Sequence, residues 1–228
     1  MKKSNKVLHL VFAVIVIVEL LGRLTDQVML EYPVKPLIMI WITLYFLMNT
    51  EKRSFIPGVV TAFFFSWMGD IFLMFSGGYN NEILFYAGVG AFFIAQLTYI
   101  FVFLLNAEND IKGLLLRNPL WFIPFLGFGV LIFLLLYPGL DGIMVPIIGV
   151  YAASLIGMSL AALNRRDRVD FDSFRLVFAG SLLFVISDSL IAVNKFYAEI
   201  PAAGFLIMLS YIAAQYLIMR GLILERER

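Results

Sequence analysis

The sequence contains no cysteine and a single histidine, His9. A disulfide and a thiolate nucleophile are therefore excluded, and one imidazole, read as incidental, leaves a serine triad without its base and a zinc site without its ligands. No glycine-rich phosphate loop is present. Charge is scarce at 14% of residues and nearly balanced at a formal net +1, so no basic surface is offered to nucleic acid. The stretches between apolar runs are too short to hold a soluble domain: "TEKRS", "SGGYNN", "NAENDIKGLLLRN", "YPGLDG", "NRRDRVDFDS" and "NKFYAEIP". Their Gly, Pro, Asn and charged residues are helix-ending chemistry.

What is abundant is oil. Of 228 residues, 62% are hydrophobic, well beyond the range of a water-soluble domain. Eight apolar runs follow one another: Val7 to Leu24, Val34 to Thr50, Phe55 to Phe75, Ile83 to Leu105, Leu120 to Tyr137, Ile143 to Leu163, Phe174 to Val193 and Ala202 to Leu224. About 20 helical residues cross a hydrocarbon core roughly 30 Å thick. The runs are apolar on all sides, whereas barrel strands alternate, so the fold class is an all-α polytopic bundle of eight transmembrane helices. The first run contains Glu19 and Arg23 and lacks a small-residue cleavage pattern, which makes it a retained helix rather than a signal peptide.

Orientation is predicted by the basic residues. With both termini cytoplasmic, Lys2, Lys3, Lys6, Lys52, Arg53, Lys112, Arg117, Arg165, Arg166, Arg168, Arg175, Arg220, Arg226 and Arg228 lie inside and only Arg23, Lys35 and Lys195 outside. That asymmetry fits the positive-inside rule.

The chain also resembles itself. "FSWMGDIFLMF" in the third run matches "LFVISDSLIAV" in the seventh, "FFIAQLTYIF" in the fourth matches "SYIAAQYLIM" in the eighth, and "VKPLIMIW" in the second matches "MVPIIGVY" in the sixth. Gln96 follows Asp70 by 26 residues and Gln215 follows Asp188 by 27. A single domain over residues 1–228 is expected, built of two parallel four-helix halves at about 1–110 and 111–228. At 1.5 Å per residue, both aspartates then lie about 21 to 23 Å from the cytoplasmic ends of their helices.

A carboxylate in a membrane helix costs about 2.5 to 3.5 kcal/mol on insertion scales, which makes Asp70 and Asp188 functional candidates by default. Glu19, Arg23, Asp26, Lys35, Glu82, Asn194 and Lys195 fall in the same outer half and predict a polar pocket there. Plainer roles are open to several of them. Glu19 and Arg23 have the spacing of a helix ion pair, Lys35 and Lys195 can snorkel, and the aspartates can brace the bundle through Gln96, Gln215 or backbone. Two neighbouring carboxyl groups in a low dielectric tend to share one proton, supplying an acid and a base together. That pairing suits hydrolysis of an acetal-like or enol-ether bond, as in glycosidases. It also suits a proton-coupled transporter or lipid-moving protein, and a membrane scaffold would need neither activity.

"VKPL", "GDIFLMF", "AQLTYI", "SDSLIAVNKF" and "SYIAAQYLI", in this order and spacing, resemble the YhhN/TMEM86 family of lysoplasmalogenases over nearly the whole chain. The resemblance implies hydrolysis of the vinyl-ether bond of a lysoplasmalogen to a fatty aldehyde and glycerophosphoethanolamine or glycerophosphocholine, without a cofactor. The partners it implies are a lysophospholipid substrate and membrane lipids. Asp70 and Asp188 would be catalytic, either one serving as acid. Lys35 and Lys195 would hold the phosphate, and Gln96, Tyr99, Asn194, Tyr211 and Gln215 would complete the substrate site. Many family members carry histidine at the position of Gln96, and glutamine cannot shuttle a proton.

Overall fold

A computed structural model describes residues 3–25, 27–50, 54–79, 81–105, 107 and 110–225. Asp26 of the polar group, and Lys2, Lys52, Arg53, Arg226 and Arg228 of the basic residues counted above, lie outside these. The elements are α1 (Lys3–Thr25), α2 (Val28–Asn49), α3 (Ile56–Tyr79), α4 (Glu82–Leu105), a single turn α5 (Leu114–Arg117), α6 (Phe122–Leu136), α7 (Met144–Leu163), α8 (Phe171–Phe196) and α9 (Ala203–Leu224). Short 3-10 turns, Pro119–Trp121 and Tyr137–Gly139, flank α6. Among the described residues, eight helices are long and apolar enough to cross a membrane. Helix is the form that satisfies each backbone N–H and C=O within its own segment, which a lipid solvent requires.

Two departures from the expected boundaries bear on the site. α2 starts at Val28 rather than near Val34, with Pro33 and Pro36 inside the helix. Both prolines lie past the four leading N–H groups that have no intrahelical partner, so each removes one helix hydrogen bond, and the carbonyl of Pro36 accepts the indole N–H of Trp67 at 3.1 Å. α8 runs on to Phe196, so Asn194 and Lys195 belong to its last turn rather than to a loop.

The helices α1, α2, α3, α4, α7, α8 and α9 pack in that order into a ring, which α9 closes against α1 and α2. α6 leans on the outside of α7 and is the least buried span. The most extensive packing joins α3 to α4 and α8 to α9, the helix pairs that the sequence repeat aligns. Small residues permit this closeness. A Cβ on Gly180 of α8 would lie 2.8 Å from the carbonyl oxygen of Ala214 in α9. A Cβ on Gly69 would lie 2.6 Å from the ring of Phe92. The core enclosed by the ring is aromatic and aliphatic, with Ile38, Phe63, Phe103, Phe184 and Ile218 sealed from solvent.

At the end of the bundle where α7 turns into α8, the wholly buried Arg165 donates to Glu225 at 2.6 Å and to Ser173 at 3.1 Å, with its guanidinium 5.6 Å from the centre of the Phe103 ring. Burial pushes this guanidinium below its usual range, and the Glu225 carboxylate draws it back up. The clamp fastens the far end of α9, while the polar groups described next occupy the other half.

Candidate functional site

α3 presents Asp70, and α9 presents Tyr211 and Gln215 on one face, four residues apart. Tyr211 donates its hydroxyl to Asp70 Oδ2 at 2.7 Å. Lys35 Nζ of α2 stands 3.8 Å from Asp70 Oδ1, with both side chains almost fully buried. Lys35 therefore does not snorkel: it turns inward to a carboxylate.

Asp188, in α8, has different company. Tyr151 of α7 donates to its Oδ2 at 2.6 Å and Gln96 Nε2 of α4 donates to the same oxygen at 3.0 Å. The other end of the Gln96 amide accepts the hydroxyl of Ser154, one turn from Tyr151. Gln96 is thus a fixed donor aimed at Asp188 by a serine behind it.

Beneath these groups Tyr99 donates to Gln215 Oε1 at 2.6 Å, and Gln215 Nε2 donates to Ser66 Oγ at 3.0 Å. Tyr99, Gln215 and Ser66 are all sealed from solvent and tie α4, α9 and α3 together. Among the described residues no hydrogen bond joins the two aspartates. Between their clusters lies a triangle of rings, Phe92, Phe184 and Tyr211, with centroids 5.8 to 6.1 Å apart. Phe92 is one turn before Gln96 and Phe184 one turn before Asp188, so the triangle holds both carboxyl clusters in register.

Two neighbouring spaces adjoin the clusters. The outer one, of about 350 Å³, is lined by Arg23, Lys35, Asn81, Glu82, Asn194 and Lys195 together with apolar residues. The inner one, of about 60 Å³, is lined almost wholly by apolar side chains, with Asp188 and Tyr151 in its wall, and is large enough for a few waters or a short length of hydrocarbon. Leu73, Phe85 and Ile191 line both. A charged vestibule at Lys35 and a greasy chamber at Asp188 are therefore neighbours that share a wall of three apolar side chains.

The vestibule's rim is braced. Arg23 pairs with Glu19 at 3.1 Å, the expected helix pair, and also with Glu31 of α2 at 2.8 Å. Lys195 lies over the Phe85 ring at 5.2 Å, its side chain exposed. Asn194 spends its carbonyl oxygen on the backbone N–H of Ile200, 2.9 Å away, holding the turn that leads into α9.

Of the residues predicted for the site, Asp70, Lys35 and Tyr211 form one cluster and Asp188 and Gln96 another. Asn194 and Lys195 line the vestibule, and Tyr99 and Gln215 lie in the interior, lining neither space. Tyr151, Ser154, Ser66 and Glu31 were not among the predicted residues. Tyr151 ends the quoted repeat segment "MVPIIGVY", opposite Trp41 of "VKPLIMIW", a hydroxyl replacing an indole; that contrast was its one signal. His9 packs edge-on against Trp41 and Tyr45.

A ring of membrane helices with two inward-facing carboxyl groups, one ion-paired and one held by neutral donors, beside a charged vestibule, defines a polytopic membrane protein with a buried polar site. The chain belongs to the YhhN family, whose model matches residues 30–222. It is 32% identical over 166 residues to "Lysoplasmalogenase TMEM86A" of Homo sapiens, covering 72% of this chain and 64% of that protein. To the protein of the same name from Bos taurus it is 31% identical over the same shares. The matched region thus spans a little under two thirds of the length of these curated relatives. No solved structure matches.

Proposed function

We propose that this protein hydrolyses the vinyl-ether bond of a lysoplasmalogen, releasing a fatty aldehyde and glycerophosphoethanolamine or glycerophosphocholine. The observation that carries the reading is a charged vestibule, with Lys35 in its wall and Asp70 buried 3.8 Å from that ammonium, next to an apolar chamber with Asp188 in its wall. A one-chain phospholipid has that same order of chemistry, phosphate first and hydrocarbon last. The names of the relatives support the same substrate class.

The surroundings divide the labour between the aspartates. Asp70, beside Lys35, is the carboxylate; Asp188, with no cation at hand and an apolar chamber before it, brings the proton. Asp188 protonates the alkenyl carbon one removed from oxygen, and the double-bond electrons form the new C–H bond. The remaining cation is an oxocarbenium ion, stabilised by the Asp70 carboxylate. Water adds to the oxocarbenium carbon and yields its proton to Asp70. The hemiacetal then breaks its carbon–oxygen bond to the glycerol, the hydroxyl proton moving to the departing oxygen. Aldehyde and alcohol leave, and a proton passed from Asp70 back to Asp188 through water restores the start. Gln96 and Tyr151 orient Asp188, so no histidine is required at position 96. Lys35 and Lys195 attract the phosphate.

The site opens away from the cytoplasm in this reading, with both termini cytoplasmic. A reporter fused after Arg228 should respond on the cytoplasmic side only. The decisive assay is purified protein in detergent with a lysoplasmalogen, measuring aldehyde. Cleavage is expected. Failure to cleave in detergent, combined with proton-driven lipid flux in sealed vesicles, would overturn hydrolysis in favour of a carrier.

A further inference from the structure

A third space lies on the lipid-facing side of the same region. It is a groove of about 400 Å³ between α4 and α7, within the size range of ligand sites. Gly90 and Phe93 form one wall and Pro146, Ile147 and Val150 the other, with Tyr151 at the inner end. Val89 and Tyr151 line both the groove and the chamber at Asp188. Tyr151, whose hydroxyl reaches Asp188, is therefore the partition between chamber and bilayer.

Depth agrees. Gly90 is 8 residues from the start of α4, and Asp188 is 8 residues from the end of α8 at the same side of the bundle, about 12 Å in each case. Ile147 and Val150 are exposed on a helix that crosses the membrane, so their neighbours are lipid. Glycine at position 90 is what leaves the groove open: nothing lies within 4 Å of where its Cβ would sit.

Resting on the vinyl-ether reading above, we propose that this groove is the side entrance and seat of the substrate's hydrocarbon chain. The lysolipid slides in from the bilayer with its phosphate in the vestibule, its ether at Asp188 and its chain leaving past Tyr151 between α4 and α7. The rim then selects for chain length. The vestibule alone is too polar for an alkyl tail, and the inner chamber too small; the groove supplies the missing apolar contact.

Two experiments on the full-length protein test this. Gly90→Leu and Gly90→Trp fill the groove without meeting another side chain at the first added carbon. The ratio of kcat/KM for a long-chain lysoplasmalogen to that for a short-chain analogue should fall by about tenfold or more, the cost of a few methylenes left unburied. An unchanged ratio in a folded variant would overturn the proposal. Independently of turnover, a lysophospholipid bearing a diazirine at the chain end should label residues 89–93 and 146–150, and Gly90→Trp should abolish that labelling. Label confined to other segments would overturn the groove whether or not the protein cleaves anything. Label here in a protein that cleaves no vinyl ether would leave the groove standing and remove the hydrolytic reading.

Discussion

Asp70 and Asp188 occupy matching places in a repeated sequence, yet their neighbourhoods differ in kind. Asp70 has a buried ammonium, Lys35, and one tyrosine. Asp188 has a tyrosine and an amide on the same oxygen and an apolar chamber in front of it. The difference originates in a few non-matching residues: Lys35 stands where the repeat has Val145, and Tyr151 where it has Trp41. Two carboxyl groups in similar sequence settings thus acquire different surroundings, with Lys35 of α2 beside one and Tyr151 of α7 beside the other.

The largest effect expected from breaking this contrast is on turnover. Asp188→Asn should lower kcat by a factor of roughly 10² to 10⁴, the range of general acid–base catalysis, while the melting temperature in detergent stays close to wild type. Tyr151 can still donate to an Asn carbonyl. Turnover within about threefold of wild type in a well-folded variant, below that range, would remove Asp188 from the chemistry.

Asp70→Asn should lose turnover on a similar scale but also lose stability, because Lys35 is left buried without its counter-ion; a cost of about 3 kcal/mol is typical of a broken buried pair. Adding Lys35→Met should restore much of that stability without restoring turnover. A double-mutant cycle on thermal unfolding measures the coupling, and additivity of the two changes would mean that the 3.8 Å pair holds no energy.

Smaller effects follow from the neutral donors. Tyr211→Phe removes a hydrogen bond to the Asp70 carboxylate, for which about 1.5 to 3 kcal/mol is usual, so kcat should fall by at least about tenfold. Tyr151→Phe removes one to the neutral Asp188 carboxyl, about 0.5 to 1.5 kcal/mol, and kcat should fall by about two- to tenfold. Tyr99→Phe should do least. It leaves Gln215 Oε1 without its donor and costs about 1 kcal/mol of stability, with kcat/KM on a soluble analogue within about twofold of wild type. A large rise in KM for that variant would return Tyr99 to the substrate site.

Much of this was legible in the chain. Eight spans followed from length and polarity, because a lipid solvent gives apolar helices little alternative. The inward-facing aspartates followed from the cost of leaving charge in oil. The start of α2 did not, since the apolar run begins only at Val34, after Pro33, while the helix extends back through that proline to Val28. Nor did the division of the polar residues into two clusters. Tyr211 and Asp70 are 141 residues apart and Gln96 and Asp188 are 92 apart, and the rotation of each helix about its axis, which decides such meetings, leaves no local mark. Tyr99 and Asn194 were expected in the site through the family resemblance; Tyr99 donates to Gln215 in the interior, while Asn194 lines the vestibule and accepts from the Ile200 backbone.

The Lys35–Asp70 pair also bears on how the chain enters the bilayer. α2 has the lowest mean hydropathy of the eight spans, 1.3, and contains Lys35, Glu31 and two prolines. Alone it partitions poorly, since a lysine at depth costs about 2.5 to 3.5 kcal/mol on insertion scales. Its counter-charge is in the very next helix to be synthesised. α2 and α3 therefore insert most favourably as a hairpin, the two charges crossing the interface together.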